Sequence, residues 1–270
     1  MNDTRTEIVA PRPAATVVIL RDGAEGLEVF MVVRHLEIDF ASGALVFPGG
    51  KVDAQDSHAA WAELALYSAS SPERAFVVAA VRETFEEAGL VLARRRGAHT
   101  LLDAQETHRL VETYRAPLLR GETTFLDIVR REELSLATDL MVPFAHWITP
   151  ERVGKRFDTH FLLVAAPVEQ LGAHDGAESV EGFWIAPRQA LADAEAGART
   201  LVLPTQMNLL KLCAHASVAE AVAATRAGRI VTVTPRIERV EGGRKLHIPA
   251  EAGYGVTEVL VPAAARGRGQ

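Results

Sequence analysis

The chain of 270 residues has one cysteine, Cys213, and therefore cannot form an internal disulfide bond. A single cysteine in an apolar stretch favours a reduced thiol and a cytoplasmic location. No apolar run is long enough for a signal peptide or a membrane-spanning helix, and Arg266–Gln270 carries no lipidation or peroxisomal signal. We therefore expect a cytoplasmic protein.

The chain also lacks an excess of basic residues, because 29 lysines and arginines face 35 acidic residues and give a net charge of −6. A general binder of nucleic acid or of anionic membranes needs a basic surface that releases counterions. The composition therefore argues against both partners. A negatively charged small substrate is still compatible with it, because metal ions and a few arginines can reverse the local field.

The composition is sufficient for a folded enzyme-sized domain, since 48% of the residues are hydrophobic and 24% are charged. Residues 1–13 contain mixed charges and two prolines, and we expect them to form a flexible N-terminal arm. The remaining residues, 14–270, are predicted to form a single domain.

A helix is predicted from Pro72 to Ala88. Ser70–Glu73 has the spacing of a helix-start signature, with a serine cap and a proline at the first helical position. Gly89 is a natural end point, because glycine enters the left-handed conformation without steric cost.

Three carboxylates, Glu83, Glu86 and Glu87, lie in the last two turns of this predicted helix. The negative end of the helix dipole makes each of them unfavourable by about 0.3–1 kcal/mol. A hard divalent cation such as magnesium would turn this arrangement into a binding site. The alternative is a solvated acidic face on which Arg82 pairs with Glu86.

A second motif precedes the helix, where the apolar segment Leu45–Gly50 ends in a proline and two glycines. Glycines after a strand allow the backbone to approach a ligand or metal closely, because no side chain intervenes. The segment therefore predicts a tight turn beside a binding site.

The two motifs together resemble the Nudix box of the Nudix hydrolases. That box consists of a glycine, five residues, a glutamate, seven residues and then Arg-Glu-aliphatic-x-Glu-Glu-x-Gly-aliphatic. Its second half matches from Arg82 to Leu90, with Thr84 in place of an aliphatic residue, whereas its first half matches only at Gly50.

The first half of the box is interrupted. Gly50 and Arg82 lie 32 positions apart, where the usual box has 14, so 18 residues are inserted. Counted back from Arg82, the expected glutamate position holds Arg74. Glu73 and Asp53 are the two candidates for the missing glutamate.

An insertion within the box resembles the Nudix branch that contains the mammalian peroxisomal coenzyme A diphosphatase. Phe144–Pro150 and Arg156–Phe161 are similar to further segments of that branch. The resemblance implies an α/β/α sandwich with a mixed sheet, extra helical insertions, and a C-terminal helix plus hairpin. It places a box insertion at about 52–71, a helical insertion at about 103–133 and a C-terminal extension at about 204–270.

The resemblance also implies a magnesium or manganese cofactor. The predicted metal ligands are Glu83, Glu86, Glu87, Gly50 and Glu178, with Glu181 as the substitute for Glu178. Glu83 is either a ligand or the base that accepts the proton of the attacking water.

Roles are also predicted for four further residues. Arg82 is predicted to orient Glu86 or another carboxylate by ion pairing. Arg34, Gly49 and Arg156 are predicted to contact the substrate, since arginine binds phosphate through two nitrogens. An ordinary surface arginine is the alternative for Arg34 and for Arg156.

The implied reaction is hydrolysis of a diphosphate linkage, with coenzyme A or an acyl-coenzyme A as the leading substrate. ADP-ribose, NADH and dinucleotides are alternatives within the same class. A non-catalytic ligand-sensing domain is the alternative from another class, because the box glutamate is missing. The only partner expected is a nucleotide-containing small molecule, and a homodimer is left open.

The remaining pattern predicts alternating strands and helices. Strands are predicted at Thr16–Leu20, Glu28–Arg34, Thr159–Ala166 and Gly182–Ile185, and helices at Ser57–Ser68, Pro187–Ala196 and Pro204–Ala227. Two more helices are expected between Asp103 and Glu133, separated near Arg120 and Gly121. A C-terminal hairpin is predicted from Ile230–Val233 and Arg244–Ile248 around Glu241–Gly243.

Overall fold

The protein is an α/β/α sandwich, with a mixed sheet between two layers of helices. The computed structural model describes residues 9–33, 43–66, 72–151, 153–171 and 182–262. The strands in chain order are β1 (Arg12–Gly23), β2 (Gly26–Val33), β3 (Ala44–Val46), β4 (Gly49–Lys51), β5 (Ala93–Arg95), β6 (Leu134–Leu136), β7 (Val142–Ile148), β8 (Phe157–Ala165), β9 (Gly182–Ile185), β10 (Thr200–Leu201), β11 (Thr232–Val233), β12 (Arg236–Val240), β13 (Gly243–His247) and β14 (Glu258–Pro262).

The central sheet has nine strands within the described ranges. Its main order is β10-β3-β2-β1-β8-β7-β11, with β4 also paired to β1 and β9 also paired to β2. β1 runs parallel to β8 and antiparallel to β2 and β4, so the sheet is mixed. β12, β13 and β14 form a separate antiparallel sheet, and β5 pairs with β6.

The helices cover both faces of the central sheet. They are α1 (Trp61–Leu64), α2 (Arg74–Glu83), α3 (Ala104–Leu110), α4 (Ala116–Leu119), α5 (Phe125–Arg131), α6 (Val168–Leu171), α7 (Pro187–Glu195), α8 (Leu203–Leu212) and α9 (Val218–Ala227). Two π-helical turns, Thr84–Ala88 and Val111–Arg115, extend α2 and join α3 to α4, and 3-10 turns occupy Ala54–Ser57, Thr138–Leu140 and Ala250–Ala252.

The alternation of side chains along β1 divides the protein into two cores, because successive residues of a strand point to opposite faces. Ala15, Val17 and Ile19 belong to the core that contains α2 and α5. Val18 and Leu20 belong to the core beneath α8 and α9. The predicted α/β/α architecture is confirmed.

The helical elements agree with the sequence in most places. The predicted helix at Pro72–Ala88 begins at Arg74, and its end at Ala88 is confirmed. The two predicted helices between Asp103 and Glu133 are present, as α3 to α4 and α5, and Gly121 with φ of 70° lies in the break. The region predicted as helical at Pro204–Ala227 consists of two helices, α8 and α9.

Other predictions need correction. The C-terminal hairpin is formed by β12 and β13, whereas Thr232–Val233 pairs in parallel with β7 of the central sheet. In the region predicted as helical at Ser57–Ser68, the described α-helix is Trp61–Leu64. β1 begins at Arg12, inside the segment predicted as an arm, because Arg12 pairs with Phe157 of β8.

Some predicted features fall outside the described residues, namely the serine cap at Ser70 and residues 1–8 of the arm. No helix in the described part of the chain combines the length and apolar character needed to cross a bilayer.

Candidate active site

The acidic end of α2 has an unusual backbone. The α-helix changes to a π-helical turn after Glu83, and the chain then leaves through Gly89, which has φ of 63°. Single π-turns inside helices occur frequently at functional sites. Thr84, at the usual aliphatic position of the box, is fully buried and donates its hydroxyl to the Ala80 carbonyl at 2.8 Å. The turn therefore accepts Thr84 without an unsatisfied polar group.

The two glycines of β4 lie directly against this acidic turn. The Gly49 N–H donates to Glu87 Oε2 at 2.8 Å. A Cβ added to Gly50 would collide with the carboxylate of Glu83. The structure therefore brings together Gly49, Gly50, Glu83 and Glu87. The Glu83 carboxylate occupies the space that a side chain at position 50 would need.

Arg82 organises the carboxylates around it. Its Nε and Nη2 donate to the two carboxylate oxygens of Asp56 at 3.1 and 2.9 Å. Its Nη1 donates to Glu83 at 2.7 Å and to Glu86 at 3.2 Å, and Nη2 also donates to the Lys51 carbonyl at 2.9 Å. All five N–H groups of the guanidinium are thus engaged. The ion pair predicted between Arg82 and Glu86 is present.

Asp56 is a site residue that was not predicted from the sequence. It lies six positions after Gly50, which is the distance from glycine to glutamate in the Nudix box, and its side chain is 2% exposed. Asp53 is a poor substitute, because its side chain is 63% exposed and its carboxylate is 3.8 Å from Arg82. Counting forward from Gly50, instead of back from Arg82, would have identified Asp56. We therefore propose that the box insertion begins after Asp56, whereas the sequence predicted about 52–71.

Burial shapes the charges of this cluster. Desolvation raises the pKa of Glu83 to about 8; Arg82 opposes the shift, and the charges of Glu86 and Glu87 add to it. Burial also raises the pKa of Glu86, and Arg82 again opposes it. Burial by itself would lower the pKa of Arg82, but Asp56 and the neighbouring glutamates outweigh it and hold that pKa above its usual range.

These carboxylates fit a hard divalent cation. Glu83, Glu86 and Glu87 offer oxygen ligands, and the cradle at Gly50 leaves room for backbone and carboxylate to approach one another. Buried like charges favour protonation until a cation compensates them. The donor set is therefore one that magnesium or manganese selects.

Arg115 also reaches the acidic turn, from the π-turn of the helical insertion. Its Nε donates to the backbone carbonyl of Glu86 at 2.6 Å. Burial lowers the pKa of Arg115, and the charges of Glu86 and Glu87 oppose this shift. A cation at a helix C-terminus offsets the helix dipole. Arg115 was missed because it is 29 positions from Glu86 and belongs to no local motif.

Of the four remaining predicted site residues, the structure describes Arg156 alone. Arg34, Glu178 and Glu181 fall outside the described residues. Arg156 is buried, and its guanidinium donates to the backbone carbonyls of Thr149 at 2.9 Å and Val9 at 2.7 Å. These bonds favour a structural role for Arg156, which ties the N-terminal strand to the β7–β8 connection.

Comparisons with known proteins agree with the geometry. The family model described as the NUDT19 Nudix domain matches residues 66–212. The match includes the acidic turn and Arg115, and it begins after Gly50 and Asp56.

Among curated relatives, the chain is 29% identical over 186 residues to "Putative nudix hydrolase 7" of Caenorhabditis elegans, covering 68% of this chain and 55% of that protein. It is 26% identical over 240 residues to "Acyl-coenzyme A diphosphatase NUDT19" of Gallus gallus, covering 70% and 62%. The corresponding protein of Xenopus laevis is 22% identical over 233 residues, covering 72% and 61%. The chain thus spans between 55% and 62% of the length of these relatives.

Among solved structures, a NUDIX hydrolase from Alicyclobacillus acidocaldarius is 28% identical, with a TM-score of 0.60. The alignment covers 80% of this chain and 97% of that one.

Proposed function

Because the chain belongs to the family of the NUDT19 Nudix domain, we propose that it hydrolyses the diphosphate linkage of coenzyme A or an acyl-coenzyme A with a bound magnesium or manganese ion. The observation that carries the proposal is the contact of the Glu83, Glu86 and Glu87 turn with the Gly49–Gly50 strand. In this contact Glu87 and Glu83 lie against Gly49 and Gly50, and Glu86 lies on the same turn and shares Arg82 with Glu83.

Glu83, Glu86 and Glu87 would hold the metal ion together with the Gly50 backbone. A divalent ion supplies charge neutralisation at the phosphoryl oxygens and lowers the pKa of bound water. Arg82 fixes the orientation of Glu83 and Glu86 by ion pairing.

Two roles are open for Glu83. It is either a third ligand or the base that takes the proton of the attacking water. A base contributes typically about 10²–10⁴-fold to the rate, and its removal changes the pH dependence of turnover. Comparing the pH–rate profiles of the parent and Glu83→Gln at saturating metal concentration distinguishes the two roles.

Glu178 and Arg34, which lie outside the described ranges, complete the proposal. Glu178, with Glu181 as its substitute, is proposed to supply a carboxylate from another segment, because one helix covers only one side of a coordination shell. Arg34 is proposed to bind a substrate phosphate through its guanidinium. Alanine variants of both residues test these roles through the apparent affinities for metal and for substrate.

The substrate assignment rests on the relatives named as acyl-coenzyme A diphosphatases. Cleavage of coenzyme A would release phosphopantetheine and an adenosine bisphosphate. ADP-ribose, NADH and dinucleotides contain the same kind of linkage and are the competing substrates.

The experiment is a product-identified substrate screen. The purified protein is incubated with magnesium or manganese and with coenzyme A, an acyl-coenzyme A, ADP-ribose, NADH and a dinucleotide, and the products are identified by mass. We expect the highest kcat/KM for coenzyme A or its acyl derivative, and loss of turnover in Glu86→Gln. A higher kcat/KM for another substrate would refute the coenzyme A assignment.

The same screen tests the ligand-sensing alternative. Binding of one compound without any product would support a sensor and refute the enzyme. The reason for considering a sensor was the missing box glutamate, and Asp56 now occupies its place against Arg82. This contact favours a complete catalytic box.

A further inference from the structure

A group of three potential metal ligands lies on β7 and β8, apart from the acidic turn. His146 pairs directly with His160 across the two antiparallel strands, and Asp158 lies two positions before His160. Directly opposite residues point to the same face of a sheet, as do residues two positions apart on one strand. The register of the strands therefore places all three side chains on one face.

The contacts within this group are close. His146 Nε2 is 2.5 Å from Asp158 Oδ1. One ligand atom from each of the three residues lies within 4.8 Å of the other two. All three residues are partly exposed, so an ion from solvent can reach them.

A fourth residue, Thr232, holds the ring of His146 in position. His146 Nδ1 is hydrogen-bonded to the hydroxyl of Thr232 on β11 at 2.8 Å. Histidines that bind metals usually hold their second ring nitrogen in such a hydrogen bond, which fixes the orientation of the ring. Nε2 of His146 is thereby directed toward Asp158.

We propose that His146, Asp158 and His160 form a second metal site, which binds a transition-metal ion such as zinc or cobalt. Two imidazoles and one carboxylate suit zinc and cobalt, whereas the all-carboxylate turn at Glu86 and Glu87 suits magnesium or manganese. The ion would take the place of the hydrogen bond between His146 and Asp158.

The site lies close to the proposed catalytic centre. Gly50 pairs with Ala15, and Ala15 pairs with His160, so two strand spacings separate Gly50 from His160. At the usual spacing of neighbouring strands this is about 10 Å between the two backbones. His160 also contacts Phe76 of α2, with ring centroids 4.4 Å apart. The proposed site therefore lies beside the helix that ends in the acidic turn.

Metal binding requires a rotation of a histidine ring. The rings of His146 and His160 are stacked, 4.0 Å apart and inclined by 13°, whereas a bound ion lies in the plane of each imidazole. We expect the His160 ring to turn and its contact with Phe76 to change. The histidine ring protons, followed by NMR with diamagnetic zinc, would report this rotation.

The test measures cobalt and zinc binding to the full chain by equilibrium dialysis with metal analysis. The background is the variant Glu83→Gln/Glu86→Gln/Glu87→Gln, in which the acidic turn is neutral. We expect this background to bind one cobalt ion per chain and to show the visible absorption of cobalt with nitrogen ligands.

His146→Gln, His160→Gln and Asp158→Asn in this background should each weaken cobalt binding by about 100-fold or more, because a ligand contributes at least as much as a supporting residue. His215→Gln is the matched control, because His215 is partly exposed, like the three proposed ligands, and lies on the loop after α8; it should leave the affinity unchanged. The thermal midpoint in EDTA shows whether each variant is folded. If one of the three variants does not fold, the other two still test the proposal.

Absence of cobalt and zinc binding in the background variant would overturn the proposal. So would binding that survives all three substitutions. The test does not depend on turnover, so failure of this proposal and failure of the proposed diphosphatase activity are separate results.

Discussion

Asp56 and Arg82 lie 26 positions apart and form a buried ion pair in which both carboxylate oxygens bind the guanidinium. Asp56 thereby provides the carboxylate that the interrupted Nudix box was missing in the sequence. The pair also connects β4 and its following turn to the helix that bears the acidic residues. The 18 extra residues between Gly50 and Arg82 therefore do not prevent the buried contact of Asp56 with the helix that bears the acidic turn.

Asp56→Asn is expected to destabilise the protein by about 3–5 kcal/mol, because it leaves Arg82 as a buried charge without its strongest partner. Urea unfolding followed by circular dichroism measures this change. Asp53→Asn is the matched control, since Asp53 is exposed and 3.8 Å from Arg82, and it should change stability by less than about 1 kcal/mol. Equal effects of the two substitutions would contradict the assigned role of Asp56.

Glu86→Gln and Glu87→Gln are expected to reduce turnover by about 100-fold or more. Each substitution removes a negatively charged ligand of the metal ion, and this ion neutralises the charge on the phosphoryl oxygens. Stability should change little, since each substitution also removes an unfavourable charge from the helix end. Single-turnover kinetics and thermal unfolding measure the two quantities separately. Parent-like turnover in both variants would refute the ligand assignment.

Gly50→Ala is expected to reduce activity more than stability, because the new methyl group displaces the Glu83 carboxylate from its seat. Gly154→Ala is the matched control, since a Cβ at Gly154 meets no atom within 4 Å. Steady-state kinetics over a range of metal concentrations should show a higher metal requirement for the first variant alone. An unchanged metal requirement in Gly50→Ala would show that Glu83 is not a ligand.

Arg115→Met is expected to weaken manganese binding by about ten-fold, because it removes the hydrogen bond that holds the Glu86 carbonyl at the end of the π-turn. Arg115→Lys should recover part of the affinity through its charge. Electron paramagnetic resonance of manganese gives the affinity directly.

Arg120→Met is the control for this series, because Arg120 is exposed and pairs with Glu122 on the surface of the same insertion. It should leave manganese affinity unchanged. If Arg115→Met also bound manganese as the parent does, the insertion would have no role in the metal site.

Glu132 should make the free energy of unfolding depend on pH in the acid range. Hydrogen bonds from Arg109 and Tyr114 outweigh partial burial and lower the pKa of Glu132 to about 2, from an ordinary value of 4.5. A lowered pKa means that the carboxylate stabilises the fold above about pH 4.5, and this contribution is lost as the pH falls toward about 2.

The measurement compares urea unfolding of the parent and Glu132→Gln between neutral and strongly acid pH. The parent should be more stable at neutral pH, and the difference should shrink as the pH falls through this window. Glu122→Gln, at an exposed pair, should show a much smaller effect. A difference that is independent of pH would contradict the assigned cause.

Local structure followed closely from the sequence. The helix ending at Gly89 was predicted because glycine is the residue that tolerates the observed φ of 63° there. The break near Gly121 between two helices of the insertion was found for the same kind of reason. These features depend on residues within a few positions of one another.

Strand pairing was harder to predict. Thr232–Val233 was assigned to the C-terminal hairpin, but it pairs with His146 and Trp147 of the central sheet. Short apolar strands resemble one another in sequence, and their partners are chosen by the packing of the whole sheet. The true first strand of the hairpin, β12, is mostly polar and gave a weaker signal.

The sequence by itself determined the acidic turn and its position after a glycine-ended strand, because both are written in runs of adjacent residues. The tertiary structure decided which distant groups meet that turn: Asp56 at Arg82, Arg115 at the Glu86 carbonyl, and His146 opposite His160. The residues in these contacts are 14 to 29 positions apart in the sequence, and the contact of His146 with His160 depends on the register in which β7 pairs with β8. Such pairings depend on how the sheet and the inserted helices pack, and no local propensity encodes them.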